Sequence, residues 1–330
     1  MSRILAVTDQ TIAQAAEVIK NGGLVAMPTE TVYGLAANAL EGKAVARVYE
    51  AKGRPAFNPL ISHYSSVEAM QQDVVWNEQA QALADSFWPG PLTMILPRSK
   101  TCRISELASA GLPTMAVRVP SHPAAQALLK AVGFPLVAPS ANKSGQISPT
   151  TPAHVAESLG AAVDIILAGG ASKIGLESTV LDLSSSVPTI LRPGLVLAED
   201  IARVLDTDVL QDFAEAKDTL KSPGQMLRHY APNAPLRLNA IDLNPGEALL
   251  AFSKTRFMGI KGGGSAADLP EDMIRNLSEE GDLHEAASNL FAMLKDLDRP
   301  GQKAIAVMPI PDHGLGIAIN DRLKRASVRE

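Results

Sequence analysis

The chain has 330 residues, a formal net charge of −5, 46% hydrophobic and 20% charged residues, which is room for two domains with well-buried cores. The acidic balance argues against broad, charge-driven binding to nucleic acid, and a single cysteine, Cys102, excludes an internal disulfide or a cysteine-built zinc site. No apolar run approaches bilayer length, and the opening "MSRILAVTDQ" lacks the apolar core of a signal peptide, so a cytoplasmic location without membrane contact is expected.

From residue 9 to about 205, helical and strand-like stretches alternate. Asp9 is a candidate N-cap for a helix with Ile12, Ala15, Ala16 and Ile19 on one face, and Gly22 fits a C′ stop. "LVAMP" (24–28) then reads as a short buried strand, "AVARVYEAKG" (44–53) as a helix, "LISHY" (60–64) as a strand and "NEQAQALADSF" (77–87) as a helix. Further strands are expected at "LTMIL" (92–96), "MAVRV" (115–119), "PLVA" (135–138), "DIILA" (164–168) and "STVLDL" (178–183). The helices "PAAQALLKAV" (123–132) and "PAHVAESL" (152–159) each open on a proline. This is a mixed α/β pattern, which leaves the strand directions open.

The pattern breaks after residue 205. Residues 206–235 are polar and proline-bearing, and they read as a linker between a domain at 1–205 and a smaller α/β domain at 236–330. In the latter, "LRLN", "EALLAFS" and "AIAVMPI" are expected strands and "LHEAASNLFAMLKDL" (283–297) a helix, while "KGGGSAADLP" (261–270) reads as a loop. The linker holds "SPGQMLRHYAP" (222–232), which places Met226, Leu227, Arg228, His229 and Tyr230 in succession. Either it packs across a domain boundary or it is a lid over a ligand.

Five islands in the first domain put hydrogen-bond donors at the ends of expected strands. They are "MPTETVYGL" (27–35), "KGRPAFNPLISH" (52–63), "TMAVRVPSHP" (114–123), "APSANKSG" (138–145) and "LESTVLDL…ILRPG" (176–194). Open α/β sheets bind ligands at strand ends. Lys52, Arg54, Arg118 and Arg192 supply charge for phosphate or carboxylate, and Thr31, Ser140, Asn142, Ser148, Thr150 and Ser178 supply small neutral donors. Singly, each is an ordinary surface arginine or a turn; together they suit an anionic ligand rich in oxygen. No P-loop, dinucleotide fingerprint, metal-binding His-Glu-x-x-His or Gly-x-Ser-x-Gly elbow is present, and nothing beside Cys102 marks it as a nucleophile.

Taken with the linker, the islands resemble the L-threonylcarbamoyladenylate synthase family in its two-domain form, a resemblance carried by "PTETVYGL", "KGRPAFNPL", "PSANKSG", "ESTV", "LRPG" and "SPGQMLRHYAP" in order. It implies a YrdC-like twisted mixed sheet with helices and a smaller, Rossmann-like α/β domain. It implies a nucleotidyltransferase that combines L-threonine, bicarbonate and ATP into threonylcarbamoyladenylate, with release of pyrophosphate. That product then serves threonylcarbamoyladenosine modification of tRNA beside the anticodon, through a downstream transferase complex; direct tRNA contact stays open. Carried over by motif, Lys52 and Arg54 are the catalytic cations. Asn58, Thr114, Asn142, Thr150, Arg192 and Tyr230 join them on ATP, the 206–235 linker thereby acting as an active-site lid, while Thr31, His63, Arg118, Ser140 and Ser178 hold threonine. Magnesium would come on the ATP phosphates rather than on protein side chains, with no organic cofactor. His63 is a candidate for the ammonium proton by residue type alone. The rival readings are a carbamoyl-transfer enzyme, which would need zinc-finger and acylphosphatase-like regions, a catalytically silent module, and an RNA-binding translation or ribosome-assembly factor.

Overall fold

The computed structural model describes residues 3–213, 229–254, 259–261 and 269–329. Residues 222–228 of the linker motif and most of the 261–270 loop lie outside them. The chain divides into two compact units, one of residues 1–144, 148–173 and 177–226, the other of 145–147, 174–176 and 227–330. The linker reading covered residues 206–235; of these, 210–211 form the last strand of the first unit.

The first unit is built on strands β1 (Arg3–Ala6), β2 (Val25–Met27), β3 (Gly34–Asn38), β4 (Ile61–His63), β5 (Leu92–Pro97), β6 (Thr114–Arg118), β7 (Leu136–Val137), β8 (Ile165–Ala168), β9 (Thr179–Asp182), β10 (Thr189–Arg192) and β11 (Leu210–Gln211). They form one 11-stranded sheet in the order β1-β8-β2-β3-β7-β4-β6-β5-β9-β10-β11. The sheet is mixed: β4 and β9 run parallel to β6 and β5, whereas β5–β6, β3–β7 and β9–β10 are antiparallel. Helices α1 (Asp9–Lys20), α2 (Gly42–Lys52), α3 (Glu78–Phe87), α4 (Pro123–Val132), α5 (Pro152–Leu159) and α6 (Ala198–Leu205) complete it. The expected helices and strands of this unit all form. One cap is corrected: Thr8, not Asp9, caps α1, because its hydroxyl accepts from the Thr11 N–H while the Thr11 hydroxyl accepts from the Thr8 N–H. Strand β3 was not foreseen. Its five residues are all buried, so they show no alternation between a wet and a dry face.

Strand pleat sorts the side chains. On β5, Leu92, Met94 and Leu96 join the main core, while Ile95 turns to the opposite face and packs with Ile61, Ala116, Val180 and Leu191. A period of two then puts Thr93 (β5), His63 (β4), Thr114 and Arg118 (β6) and Ser178 (just before β9) on the face of that small aliphatic cluster. Polar groups expected at strand ends thus share a floor of five apolar residues.

The second unit holds β12 (Leu236–Arg237), β13 (Glu247–Ala251), β14 (Ile274–Asn276), α7 (Leu283–Leu297), β15 (Ala304–Val307) and α8 (Leu315–Ser327). Its four strands are all parallel, in the order β12-β15-β13-β14, as the Rossmann-like expectation requires. Helix α7 starts where Asp282 accepts from the N–H groups of His284 and Glu285, and it buries Leu290, Phe291, Leu294 and Leu297. Asp298 just beyond it accepts from the backbone N–H groups of Asn233 and Ala234, pinning the chain that enters the unit.

Candidate active site

Arg118 is the organising cation of the amino-acid side. Only 4% of it is exposed, and its guanidinium donates Nε to Gly90 O (3.1 Å), Nη1 to Thr31 Oγ1 (3.0 Å) and Nη2 to Glu30 Oε1 (2.6 Å). An arginine carries five N–H donors, so two remain without a partner among the described residues. Two donors on one fork fit a carboxylate. Burial alone would raise the Glu30 carboxyl, but the Arg118 charge and hydrogen bond hold it below the usual range.

Proton accounting gives the polarity of the neighbours. The Thr29 hydroxyl donates to Val32 O at 2.6 Å and accepts from the N–H groups of Thr31 and Val32 at 3.2 Å each, so its 2.8 Å contact with Thr31 Oγ1 does not by itself direct the Thr31 hydrogen. Thr31 Oγ1 accepts from Arg118. His63 pairs with Arg118 across β4–β6. Its Nδ1 lies 3.2 Å from Ile61 O, an acceptor-only partner, which puts the proton on Nδ1 and leaves Nε2 as a lone pair. Burial, helped by the Arg118 charge, pushes the ring down to about 3. His63 is thus a neutral acceptor near pH 7 and a very weak base. Two N–H donors on Arg118 thus stand beside the Thr31 hydroxyl and a neutral His63 ring, a polarity that suits a zwitterion.

The phosphate side is built from loops clamped by cations. Lys52 closes α2 and is 2% exposed; its Nζ donates to Ser140 O and Asn142 O, both at 2.5 Å. It thereby fixes the "SAN" turn and keeps one N–H for a ligand. Burial lowers the Lys52 ammonium well below its ordinary range, repulsion from Arg54 adds to this, and Glu177 opposes it. Arg54 folds over its own loop, with Nε on Asn58 O (3.1 Å) and Nη2 on Asn58 Oδ1 (2.5 Å) and Pro59 O (2.9 Å). That leaves the Asn58 Nδ2 buried and without a partner among the described residues. Arg192, at the end of β10, gives Nε and Nη2 to Ser178 O (3.1 and 2.9 Å) and Nη2 also to Ser178 Oγ (3.1 Å). The "RPG" turn presses so closely on β9 that a Cβ on Gly194 would sit 2.4 Å from Thr179 N, so only glycine fits. Thr150 is buried, with Oγ1 3.4 Å from His154 Nδ1; Thr114 is half-buried at the start of β6.

The sheet also joins the islands: Gly34 bridges to Ser140, Ala141 N donates to Tyr33 O (2.8 Å), and Tyr33 N donates to Pro149 O (2.9 Å). The structure therefore links Thr31, His63, Arg118, Lys52, Arg54, Asn58, Ser140, Asn142, Ser178 and Arg192 into short hydrogen-bonded or strand-paired chains within one unit. Tyr230 belongs to the other unit. Its backbone is left-handed (φ 64°), its ring is fully buried, and it stacks on Phe291 (5.4 Å) and meets His229 edge-on (4.0 Å), with the Arg322 guanidinium 5.5 Å from the ring centre. Its assignment to the nucleotide rests on the motif.

Four residues escaped sequence reasoning. Glu30, inside the "PTETVYGL" motif, braces Arg118. Glu177, beside Ser178, accepts from the Ser148 hydroxyl and is the acid that counters Lys52. Thr93 hydrogen-bonds Ser178 Oγ at 2.7 Å from mid-strand. Ser172, whose N–H donates to Thr150 O (2.9 Å), has a buried hydroxyl without a partner among the described residues. Only Glu30 and Glu177 had a signal, as acids in otherwise cationic islands.

Among the described residues no three His, Cys, Asp or Glu side chains cluster as a metal cage. No helix is long and apolar enough to cross a membrane among those residues.

A buried, cation-rich α/β site with donors and acceptors set for an amino acid and an oxyanion defines the class. The Sua5/YciO/YrdC family profile, described as "Telomere recombination", matches residues 17–194, and that of "Threonylcarbamoyl-AMP synthase, C-terminal domain" matches 196–328. The chain belongs to this two-domain Sua5 family. It is 41% identical to the threonylcarbamoyl-AMP synthase of Pyrococcus abyssi over 95% of this chain and 93% of that one. It is 39% identical to the Bacillus subtilis protein of the same name over 98% and 94%. The crystal structure of P. abyssi Sua5 complexed with L-threonine superposes with a TM-score of 0.86 at 37% identity, covering 99% of this chain and 97% of that one.

Proposed function

We propose that this chain is a threonylcarbamoyl-AMP synthase, which condenses L-threonine, bicarbonate and MgATP to threonylcarbamoyladenylate and pyrophosphate. The observation that carries the reading is Arg118, buried and braced by Glu30, with two N–H donors in hand beside the Thr31 hydroxyl and the neutral His63 ring. That polarity fits threonine as a zwitterion, and it agrees with the threonine complex of the P. abyssi relative.

The threonine ammonium first gives a proton to water; the free amine then adds to the carbon of bicarbonate, the C–N bond forms, and water leaves with the second nitrogen proton to give the carbamate. A carbamate oxygen then attacks the α-phosphorus of ATP as the bond to the pyrophosphate oxygen breaks. Two anions must approach a triphosphate, so fixed cations and donors held in place lower the barrier. Lys52, Arg54, Asn58, Asn142, Thr150 and Arg192 take the nucleotide in this reading, with Thr114 beside them and Tyr230 as the linker's contribution. Ser140 and Ser178 complete the threonine side. His63 does not take the ammonium proton, since its conjugate acid is far too strong; it orients the substrate as an acceptor. Magnesium travels on the phosphates and offsets their charge. The downstream partner is a transferase that moves the threonylcarbamoyl group to tRNA.

The RNA-binding alternative is not favoured. Lys52, Arg54, Arg118 and Arg192 are each less than a tenth exposed, out of reach of a polyanionic backbone. The test is a turnover assay that follows pyrophosphate and the adenylate. Release that requires both L-threonine and bicarbonate, and that collapses in Lys52→Ala/Arg54→Ala, is expected; release indifferent to either substrate refutes the reading.

A further inference from the structure

The hydroxyl of Ser178 has three neighbours that determine where its hydrogen goes. Arg192 Nη2 lies 3.1 Å away and can only donate, so Ser178 Oγ accepts there. Thr93 Oγ1 lies 2.7 Å away, and that contact runs in one of two directions. Thr93 has none of its surface exposed, and Ser178 Oγ is its hydroxyl's sole partner among the described residues. If Ser178 were the donor, the Thr93 O–H would be left buried with no acceptor and no route to a ligand, a loss of about 1–3 kcal/mol. If Thr93 is the donor, its O–H is satisfied and Ser178 Oγ accepts twice; the unpaired O–H is then that of Ser178, 1% exposed, which the threonine reading sets against the ligand. The hydrogen of Ser178 is then committed to neither neighbour.

The geometry points to Thr93 as a positioning residue that holds the Ser178 hydroxyl as a dedicated donor toward the bound amino acid. The inference rests on the threonine reading of this site. Thr93 never touches substrate; with Arg192 it fills the lone pairs of Ser178, so the serine rotor cannot turn away or accept from the ligand. Because Arg192 also grips the Ser178 carbonyl, the donor stays registered to the nucleotide side.

The test uses the full chain with L-threonine, measured by calorimetry and by pyrophosphate release. Thr93→Val keeps the shape and deletes the hydroxyl; Thr93→Ser keeps the hydroxyl and deletes a methyl. Thr93→Val is expected to raise KM for threonine roughly tenfold, with KM for ATP changed less than about twofold, while Thr93→Ser stays within about twofold of wild type. In a Ser178→Ala background, Thr93→Val adds no further loss, because Thr93 acts through Ser178. A normal threonine KM in Thr93→Val, or a serine variant as impaired as the valine one, overturns the inference, the latter pointing to packing. If wild type binds no threonine, it is the reading of the site that fails. The rotor claim is then judged by crystal structures alone: one Ser178 rotamer in wild type and more than one in Thr93→Val supports it, and one unchanged rotamer in both refutes it.

Discussion

Two arginines, one in each unit, obey opposite rules. Arg237 of the second unit is a third exposed, yet four of its five N–H donors are engaged. It reaches Glu247 through Nε (2.9 Å) and Nη2 (2.5 Å), and Asp242 through Nη1 (3.3 Å) and Nη2 to the carbonyl (2.6 Å). Arg118 of the first unit is almost wholly buried and leaves two donors unused. Stability alone would arrange matters the other way, since a buried donor without a partner costs far more than an exposed one. The same first unit also buries the Asn58 Nδ2 and the Ser172 hydroxyl without partners among the described residues. Donors withheld from the fold are donors kept for a ligand, and they separate a working site from a structural ion pair.

The comparison can be broken most severely at the arginines. Arg118→Ala strands the Glu30 carboxylate in the interior and should cost about 3–5 kcal/mol in denaturant unfolding, with kcat/KM for threonine down by about a hundredfold or more. Arg237→Ala should cost about 1–2 kcal/mol, because Glu247 keeps the Asn244 N–H and Nδ2 donors, and threonine kinetics should not move.

Acid should find His63 next. Its folded value of about 3 lies below the ordinary 6.5, so between these limits the unfolded chain binds more protons and stability falls as pH drops. The penalty grows to roughly 5 kcal/mol at most. Glu30, whose folded value is lowered, loses its own contribution in the same direction as pH falls through that value. His63→Gln should therefore flatten, without abolishing, the pH dependence of the denaturation midpoint between about pH 6.5 and 4.

Lys52 offers a subtler check. Its ammonium is weakened in the ligand-free site, and an incoming triphosphate strengthens it. Calorimetry in buffers of different ionisation heat should show net proton uptake on ATP binding near pH 9, absent in Lys52→Met. Smallest of all, Ser172→Ala removes a buried hydroxyl that the fold does not use; unfolding free energy should hold or rise by up to about 1 kcal/mol, and a raised KM for ATP would add Ser172 to the site.

Much of this was legible in the residues. Helix α7 begins and ends where its apolar period says, and the islands name most of the site because cations and small hydroxyls cluster at strand ends. Helix α8 was missed because Arg322 and Arg325 lie on its buried side and break the apolar period that would announce it. Thr8 displaced Asp9 as a cap because the reciprocal Thr11 bond depends on side-chain geometry rather than residue type. Thr93 gave no signal at all: a threonine in mid-strand reads as β-propensity, and only the pleat reveals that it backs Ser178.

The most direct measurement is equilibrium dialysis of labelled L-threonine against wild type, Arg118→Lys and Arg237→Lys. Lysine keeps the charge but loses the fork. The account predicts one saturable site per chain in wild type and Arg237→Lys, with affinity at least tenfold weaker in Arg118→Lys. Equal binding in all three, or a loss confined to Arg237→Lys, would contradict it.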